Sequence, residues 1–329
     1  MAKKKNIIKL TGFLISGIFL YFTFKEIDFR EVWATLQNFN LYFTLWGVLL
    51  FLLANVIRGY RWKLMLKPVK DVSALSCIAA LFVDILGNNI LPARLGDVWR
   101  SIAVKHKENV PVTTAFSSLI IERILDGIVI LLGAFTGRWI FKEVPESMKK
   151  AILYLIIGIT VTILVFFLIY IIHERRYKNS DSKMAKQVKK VISAMRFLGD
   201  FRNTVYILIL SIVSWAVEFY SYFYFLKAIG YNGPMSLALF VMVAVNIGVS
   251  IPSGPGYFGV FEYSTLLAFY AYGLPKELGL TYAFITHALR YISGSLVGFI
   301  LGSRWYLFPS KEEEEEIEEL HLPENGENS

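Results

Sequence analysis

The sequence contains one cysteine, Cys77, and few charged residues for its length. A single thiol excludes a disulfide framework and a metal site built from several cysteines within one chain. Charged side chains make up 18% of the 329 residues, whereas roughly a quarter is usual in a soluble domain. The longest polar stretch, 173–203, is too short for an independent domain with its own core. These shortages favour a protein that lies mostly in or against a bilayer.

Hydrophobic residues, in contrast, make up 55% of the chain and gather in nine apolar segments. A helix needs about 20 residues to cross a bilayer, and several segments qualify. We therefore predict an all-α polytopic protein of the cell membrane. The segments are 7–24, 41–57, 72–92, 112–137, 151–172, 204–228, 235–251, 257–273 and 277–304.

The two ends of the chain have distinct compositions. No small-residue cleavage site follows the first apolar segment, so we expect an uncleaved first span. Residues 311–329 hold nine glutamates and one lysine, which is typical of a disordered acidic tail. We predict a single membrane domain over 1–310 followed by this tail. Helical spacing also predicts a short interfacial helix between the first two segments. Its apolar residues are Phe29, Val32, Trp33, Leu36 and Phe39.

The distribution of Lys and Arg predicts the topology, because they concentrate in short cytoplasmic loops. If all nine segments cross, 15 basic residues lie inside and 17 outside. If 72–100 enters from the cytoplasm and returns, and 235–273 does so from outside, the tally becomes 24 inside and eight outside. We therefore predict six spanning helices plus two Gly/Pro-broken re-entrant helical pairs. Both termini and the loop 173–203 are then cytoplasmic.

The same arrangement predicts inverted repeats over 1–142 and 143–310. Inverted repeats with broken segments in corresponding positions indicate a transport site near the bilayer midplane. Both breaks contain the pattern P-x-x-x-G, and non-helical backbone at that depth is tolerated only inside protein or beside a wet cavity. The residues assigned to the breaks are Pro92, Gly96, Pro252, Pro255, Gly256 and Gly259.

Ionisable side chains recur inside the apolar segments. Each costs at least about 2.5–3.5 kcal/mol on insertion scales, and such residues usually mark function. Asp84, Glu218 and His287 belong to this set, with Asn88 and Asn89 nearby. The candidate substrate-binding residues are Arg94, Asp97, Arg100, Glu122, Arg123, Asp126, Glu262 and Arg290.

Structural explanations remain open for each of these groups. The arginines near Pro92 could anchor a cytoplasmic helix end, and the ERILD cluster could lock two helices together. For Glu262 and Arg290 we predict a mutual ion pair, because an unpaired charge at mid-depth is costly. We expect this pair beside a cavity shared with Glu122 and Asp126.

Arg94 follows the break at Pro92, where proline interrupts regular helix. A helix restarting near Arg94 would carry Asp97 and Arg100 on one face at steps of three, close to its N-terminal amides. The planar fork of arginine binds phosphate oxygens in two places. We predict that Arg94 and Arg100 hold the phosphate of a lipid head group at the cytoplasmic mouth, and that Asp97 orients one of them.

Five stretches together resemble a known family: RGYRWKLML, NNILPARLGDVWR, ERILDGIVIL, IPSGPGYFGVFE and the span containing Arg290. Over roughly 5–305 the chain looks like the transmembrane region of lysylphosphatidylglycerol synthases and their stand-alone, flippase-like, uncharacterised relatives. The resemblance implies movement of a lipid between leaflets. The family's acidic position after PARxG is often Glu, and Asp97 keeps the charge here. No aminoacyl-transfer domain is expected, so the resemblance does not imply synthesis of the lysyl-lipid.

The favoured function is translocation of a phospholipid or lipid-linked phosphate. A small-solute or ion secondary transporter, a membrane enzyme acting on a lipid-linked substrate, and a scaffold of envelope assembly remain alternatives. The sequence holds no Walker A pattern, no two-histidine metal spacing and no Ser/His/Asp arrangement. We therefore expect no enzymatic activity, cofactor or metal. Expected partners are membrane lipids, especially anionic ones, and a lipid-modifying or glycosyltransferase enzyme, but no nucleic acid.

Overall fold

The computed structural model describes residues 14–140 and 199–306, apart from positions 15, 26, 38, 93 and 252, together with single positions 146, 150, 153 and 157. In these ranges the chain forms helices and the turns between them, without a β-strand. The all-α prediction is confirmed for this part of the chain. Predictions for 151–172, for the loop 173–203 and for the acidic tail fall wholly or largely outside it, as does Pro252.

The helices follow one another with short connections. In chain order they are α1 (16–24), α2 (Phe29–Gln37), α3 (Leu41–Leu66), α4 (Ala74–Ile90), α5 (Gly96–Glu108), α6 (Val112–Ile140), α7 (Phe201–Ala228), α8 (Ser236–Gly248), α9 (Val260–Ala271) and α10 (Lys276–Tyr306).

Three helices are long and apolar enough to cross a membrane: α3, α7 and residues Lys276–Ser303 of α10. Each satisfies its own backbone hydrogen bonds, as a bilayer requires. Each also turns large apolar side chains outward, where lipid would cover them. Examples are Leu49, Leu53, Ile209, Ile212, Ile292 and Phe299.

Four shorter helices form two packed pairs, α4 with α5 and α8 with α9. α4 stops at Ile90 because Leu91, which precedes Pro92, is extended at φ −105° and ψ 143°. Between α8 and α9 the chain makes a 3-10 turn at Pro255–Tyr257. Both predicted breaks are therefore real interruptions of helix.

The core lies where the long helices cross the short pairs. α3 packs along α7, and α10 packs along α4. One apolar cluster joins α7 to α10 around Tyr222, Phe240 and Phe269. A second joins α3 to α6 around Trp62 and Val104. These contacts fix the frame that surrounds the polar groups described below.

The helix predicted over the first connection exists as α2. Val32 is 3% exposed and packs beside Leu266 and Leu280, whereas Phe29 and Trp33 are exposed. Of the predicted apolar face, Val32 is therefore buried, whereas Phe29, Trp33 and Phe39 face outward. Its location at a membrane interface stays a prediction.

Candidate functional site

A cavity of about 430 Å³ lies between the long helices and the two breaks. Both helical pairs contribute to its wall, together with α3, α6 and α7. Its charged and amide lining residues are Asn55, Arg58, Asp84, Asn88, Asn89, Arg94, Arg100, Glu122, Arg123, Asp126 and Asn246.

The first break is closed by a tight contact between α4 and α5. The Asn88 amide donates to Asp84 Oδ1 at 2.6 Å, and the Gly96 N–H donates to Asn88 Oδ1 at 2.9 Å. A Cβ on Gly96 would lie 2.1 Å from the Asp84 carbonyl oxygen. Only glycine allows this approach. Gly96 therefore serves close packing, and it brings the polar end of α4 against the start of α5.

Arg94 connects the two breaks. It has the left-handed backbone conformation, with φ 58°. Its Nη1 donates to the Val249 carbonyl oxygen at 3.3 Å, and its Nε lies 3.7 Å from Asp97 Oδ2. Arg94 thus reaches from the first break to the residue after α8, and Asp97 faces it. That Asp97 orients an arginine for phosphate binding stays a prediction.

Asp84, Asp97 and Arg123 form one end of a longer ionic chain. Arg123 Nη2 lies 3.0 Å from Asp97 Oδ1 and 3.9 Å from Asp84 Oδ2. Asp84 in turn lies 3.9 Å from Arg100 Nη1. Arg123 therefore binds acids on the first helical pair, and not Asp126 on its own helix.

The ionic chain continues through side chains that are almost fully buried. Arg100 binds both carboxylate oxygens of Glu122, at 3.3 and 3.0 Å. Arg61 binds Glu122 at 3.2 Å and both oxygens of Asp126, at 2.6 and 3.1 Å. Trp62 lies under the Arg100 guanidinium, 4.0 Å away. The result is an alternating acid–base chain that runs from Asp126 through Arg61, Glu122, Arg100, Asp84, Arg123 and Asp97 to Arg94.

A separate group joins α3, α7 and α10. Glu218 accepts from Arg58 at 3.2 Å and from Arg290. The Arg58 guanidinium lies 4.4 Å from the Trp215 ring, and that of Arg290 lies 4.6 Å from the Tyr222 ring. We call Arg58, Glu218 and Arg290 the Arg58 triad.

The predicted ion pair between Glu262 and Arg290 is wrong. Glu262 instead lies 2.5 Å from His287 Nδ1 and accepts from the Gly259 N–H at 2.7 Å. His287 Nε2 lies 2.8 Å from the Gly256 carbonyl oxygen. His287 and Arg290 lie three residues apart on α10, where His287 contacts Glu262 of α9 and Arg290 instead contacts Glu218 of α7. Glu262 and Arg290 are not among the residues that line the cavity.

The second break depends on its glycines. Gly256 and Gly259 have φ of 65° and 85°, a region that favours glycine. A Cβ on Gly259 would lie 2.6 Å from the Ser16 carbonyl oxygen. The turn therefore packs closely against α1, and the Glu262–His287 pair binds its backbone from the other side.

Sequence reasoning missed Arg58 and Arg61, because they follow the apolar segment 41–57 and were counted among the 24 basic residues on the cytoplasmic side. The structure extends α3 to Leu66 and buries Arg61 completely. Arg58 and Arg61, two of the 24 basic residues counted on the cytoplasmic side, therefore belong to the membrane part of α3. The other 22 still outnumber the eight outside, so the excess of basic residues on the cytoplasmic side remains. The spacing of three in RGYR, which places both arginines on one side of a helix, is the signal that could have identified them.

Five of the eight candidate residues meet at the cavity: Arg94, Arg100, Glu122, Arg123 and Asp126. Asp97 adjoins them through Arg123. Substrate binding by these residues stays a prediction. Within the described ranges no cluster of three or more His, Cys, Asp or Glu residues could hold a metal ion.

The fold and the site define a helical membrane protein whose interior holds a charged cavity between two broken helix pairs. Residues 9–298 match the family described as the lysylphosphatidylglycerol synthase TM region. The chain belongs to this family, and the resemblance noted in the sequence is confirmed.

The relatives among curated proteins are distant, and two of them match nearly the whole chain. UPF0104 membrane protein MJ1595 of Methanocaldococcus jannaschii is 22% identical over 87% of this chain and 92% of its own length. UPF0104 membrane protein PH1989 of Pyrococcus horikoshii is 23% identical over 91% and 96%. Glycosyltransferase AglD of Haloferax volcanii is 26% identical over 40% of this chain and 23% of its own length. No solved structure matches the chain significantly.

Proposed function

We propose that this protein moves a polar lipid, either a phospholipid or a lipid-linked phosphate, between the leaflets of the cell membrane. The observation that carries the proposal is the cavity of about 430 Å³, lined by four arginines and three carboxylates inside an apolar helical body. Its volume falls in the range of about 300–1,000 Å³ that is typical of small-ligand sites. The head group binds in this cavity while the acyl chains stay in the surrounding lipid.

The lengths of the helices support this proposal. α4 and α5 have 17 and 13 residues, and α8 and α9 have 13 and 12. Each is shorter than the roughly 20 residues that a membrane crossing needs. We infer that each pair enters and returns on one side, in inverted repeats, with the cavity between their tips. A head group can then reach the cavity from either leaflet in turn.

The family and the relatives supply a second line of support. The family's name refers to the membrane part of an enzyme of lipid synthesis, and one relative is a glycosyltransferase. We propose that this chain is the transporting component and not an enzyme, and that a lipid-modifying or glycosyltransferase partner supplies or uses its lipid.

Reconstitution tests the proposal. The pure protein is reconstituted into liposomes that contain a fluorescent phospholipid, and an impermeant quencher is added outside. The quencher should abolish the fluorescence of lipid from both leaflets, because the protein brings inner-leaflet lipid to the outer leaflet. Asn246→Trp should reduce this movement to the rate of protein-free liposomes, since the larger side chain fills the cavity.

Ile212→Trp is the matched control, because Ile212 is 60% exposed on the outer face of α7. It should move lipid at the wild-type rate. Chemical change of the lipid would favour the enzyme alternative. Uptake of a small solute without lipid movement would favour the secondary transporter. Equal lipid movement by both tryptophan variants would show that the cavity is not the route.

A further inference from the structure

The two groups of buried charge differ in their balance. The acid–base chain contains four arginines and four carboxylates, so it is neutral from Asp126 to Arg94. The Arg58 triad contains two arginines and one carboxylate. Among the described residues that line the cavity or pair with its lining, one positive charge is therefore left without a counter-charge. A buried net charge is costly unless something pairs with it.

The pattern of hydrogen bonds points independently to the Arg58 triad. Arg58 Nη2 and Arg290 Nη1 are buried and have no hydrogen-bond partner in the described structure. Each is a terminal amino group with two protons to donate. Among the buried donors of the acid–base chain, only the Nε atoms of Arg61 and Arg100 lack a partner, and the terminal groups of both arginines bind carboxylates. The buried terminal amino groups without a partner therefore coincide with the excess of charge.

Arg58 is the member of the triad that can meet a ligand. Its side chain is 13% exposed and lines the cavity, whereas Arg290, although 14% exposed, is not among the residues that line it. The Trp215 ring supports the guanidinium face, and Asn55 Oδ1 accepts from Nη1 at 3.4 Å. Since stacking occupies the face of the guanidinium, its edge is left for hydrogen bonds. Arg58 is thus held in position before any ligand arrives.

We propose that Arg58 is the binding site for one singly charged phosphate group, and that the phosphodiester of an anionic lipid head group occupies it. The lipid part of this inference rests on the function proposed above. A single negative charge neutralises the triad, and a phosphate oxygen accepts from the unpaired Nη2 of Arg58. The prediction that Arg94 and Arg100 hold the phosphate is disfavoured on the same grounds, because Glu122 binds Arg100 through both oxygens and Asp97 faces Arg94.

Binding by the intact protein in detergent tests the assignment. The probes are phosphatidylglycerol, which carries one negative charge, phosphatidylcholine, which has a phosphodiester but no net charge, and inorganic phosphate. Phosphatidylglycerol should raise the melting temperature of the wild type more than phosphatidylcholine does. Arg58→Gln should weaken its apparent affinity by about tenfold or more, as loss of a charge-assisted hydrogen bond implies. Arg58→Lys should keep the preference for the anionic lipid.

Arg202→Gln is the matched control, since it removes one positive charge from an exposed position at the start of α7. It should bind like the wild type.

A second readout separates ligand binding from a purely structural role. Without lipid, Arg58→Gln should melt no lower than the wild type, because it removes an uncompensated charge. If it melts as low as Arg61→Met, or cannot be purified, Arg58 is a structural partner of Glu218 and the proposal is wrong. The proposal would also be overturned if Arg58→Gln bound phosphatidylglycerol as tightly as the wild type, or if Arg58→Lys and Arg58→Gln lost the same amount of affinity for it.

The three probes separate this inference from the proposed function. If inorganic phosphate stabilises the wild type through Arg58 and phosphatidylglycerol does not, the site takes a soluble anion, and the lipid assignment fails. If phosphatidylglycerol binds through Arg58 but liposomes show no lipid movement, the site stands and translocation fails. If lipid moves at the wild-type rate in Arg58→Gln, translocation stands and the site fails.

Discussion

The Arg61 guanidinium binds both oxygens of the Asp126 carboxylate, and Arg61 has no exposed surface at all. Removing one partner of such a pair leaves a buried charge without compensation, which costs about 3–5 kcal/mol. We therefore expect Arg61→Met to lower the free energy of unfolding by that amount. Adding Asp126→Asn to Arg61→Met should restore part of the lost free energy of unfolding. Denaturant unfolding in detergent, followed by tryptophan fluorescence, measures both changes.

Lys63 and Asp71 provide the comparison for this pair. They lie 3.5 Å apart, and Asp71 is 73% exposed. Breaking an exposed pair of this kind costs at most about 1 kcal/mol. Lys63→Ala should therefore be nearly neutral. An Arg61→Met variant as stable as Lys63→Ala would mean that the acid–base chain contributes nothing to folding.

Gly96 sets the distance between α4 and α5. A methyl group there would lie 2.6 Å from Asn88 Cγ and 2.1 Å from the Asp84 carbonyl oxygen. Overpacking of this kind typically costs about 1–3 kcal/mol, so Gly96→Ala should lower the melting temperature in detergent. Gly133→Ala should raise it slightly, because beyond its chain neighbours and its own helix backbone no atom lies within 4 Å of the added methyl, and alanine favours helix. Equal melting temperatures for the two variants would contradict the close packing at the first break.

Double-mutant cycles can verify the pairing of the buried acids. Glu262 with His287, and Glu218 with Arg290, should each show a coupling energy of about 0.5–3 kcal/mol. Glu262 with Arg290 should be additive within about 0.5 kcal/mol, since each binds another partner. Melting temperatures of the single and double Gln or Asn variants supply the data. Strong coupling of Glu262 to Arg290 would restore the pairing that the sequence suggested.

Cysteine labelling tests the topology. Cys77 is fully buried, so its replacement by Ser gives a background without a reactive thiol. Single cysteines introduced at Asn109, Ser147 and Ser180 report on three connections. An impermeant thiol reagent added outside intact cells should label only the Ser147 position. Labelling at Ser180 would place 173–203 outside and contradict the distribution of basic residues.

The sequence was sufficient for the breaks because proline and glycine act locally. Leu91 is extended because Pro92 follows it, and the place of Gly96 in the same break can be inferred from the same short stretch of sequence. The helical content and the buried charges other than Arg58 and Arg61 could also be predicted, since both depend on composition within a short window. The order of the elements, together with the motifs, was enough to identify the family.

The partners of the buried charges could not be predicted in the same way. Glu122 and Asp126 were known to lie four residues apart, but the residue that bridges them, Arg61, comes from another helix. Arg58 and Arg61 follow an apolar run and resemble a positive loop. Only the packing of α3 against α6 and α7 distinguishes a buried arginine from an anchoring one. Side-chain pairing across helices is a property of the tertiary fold, and local patterns leave it open.

The ionic contacts of α3 also affect how the protein is made. Asp126 is synthesised 65 residues after Arg61, and Glu218 follows Arg58 by 160 residues. The newborn α3 therefore carries two positive charges before either of these carboxylates has left the ribosome. Such a helix is poorly suited to pass alone from the insertion machinery into lipid. We therefore expect α3 to stay beside that machinery until α6 supplies Asp126, and Arg58 to gain Glu218 only when α7 arrives. On this expectation, several helices enter the lipid together rather than one span after another.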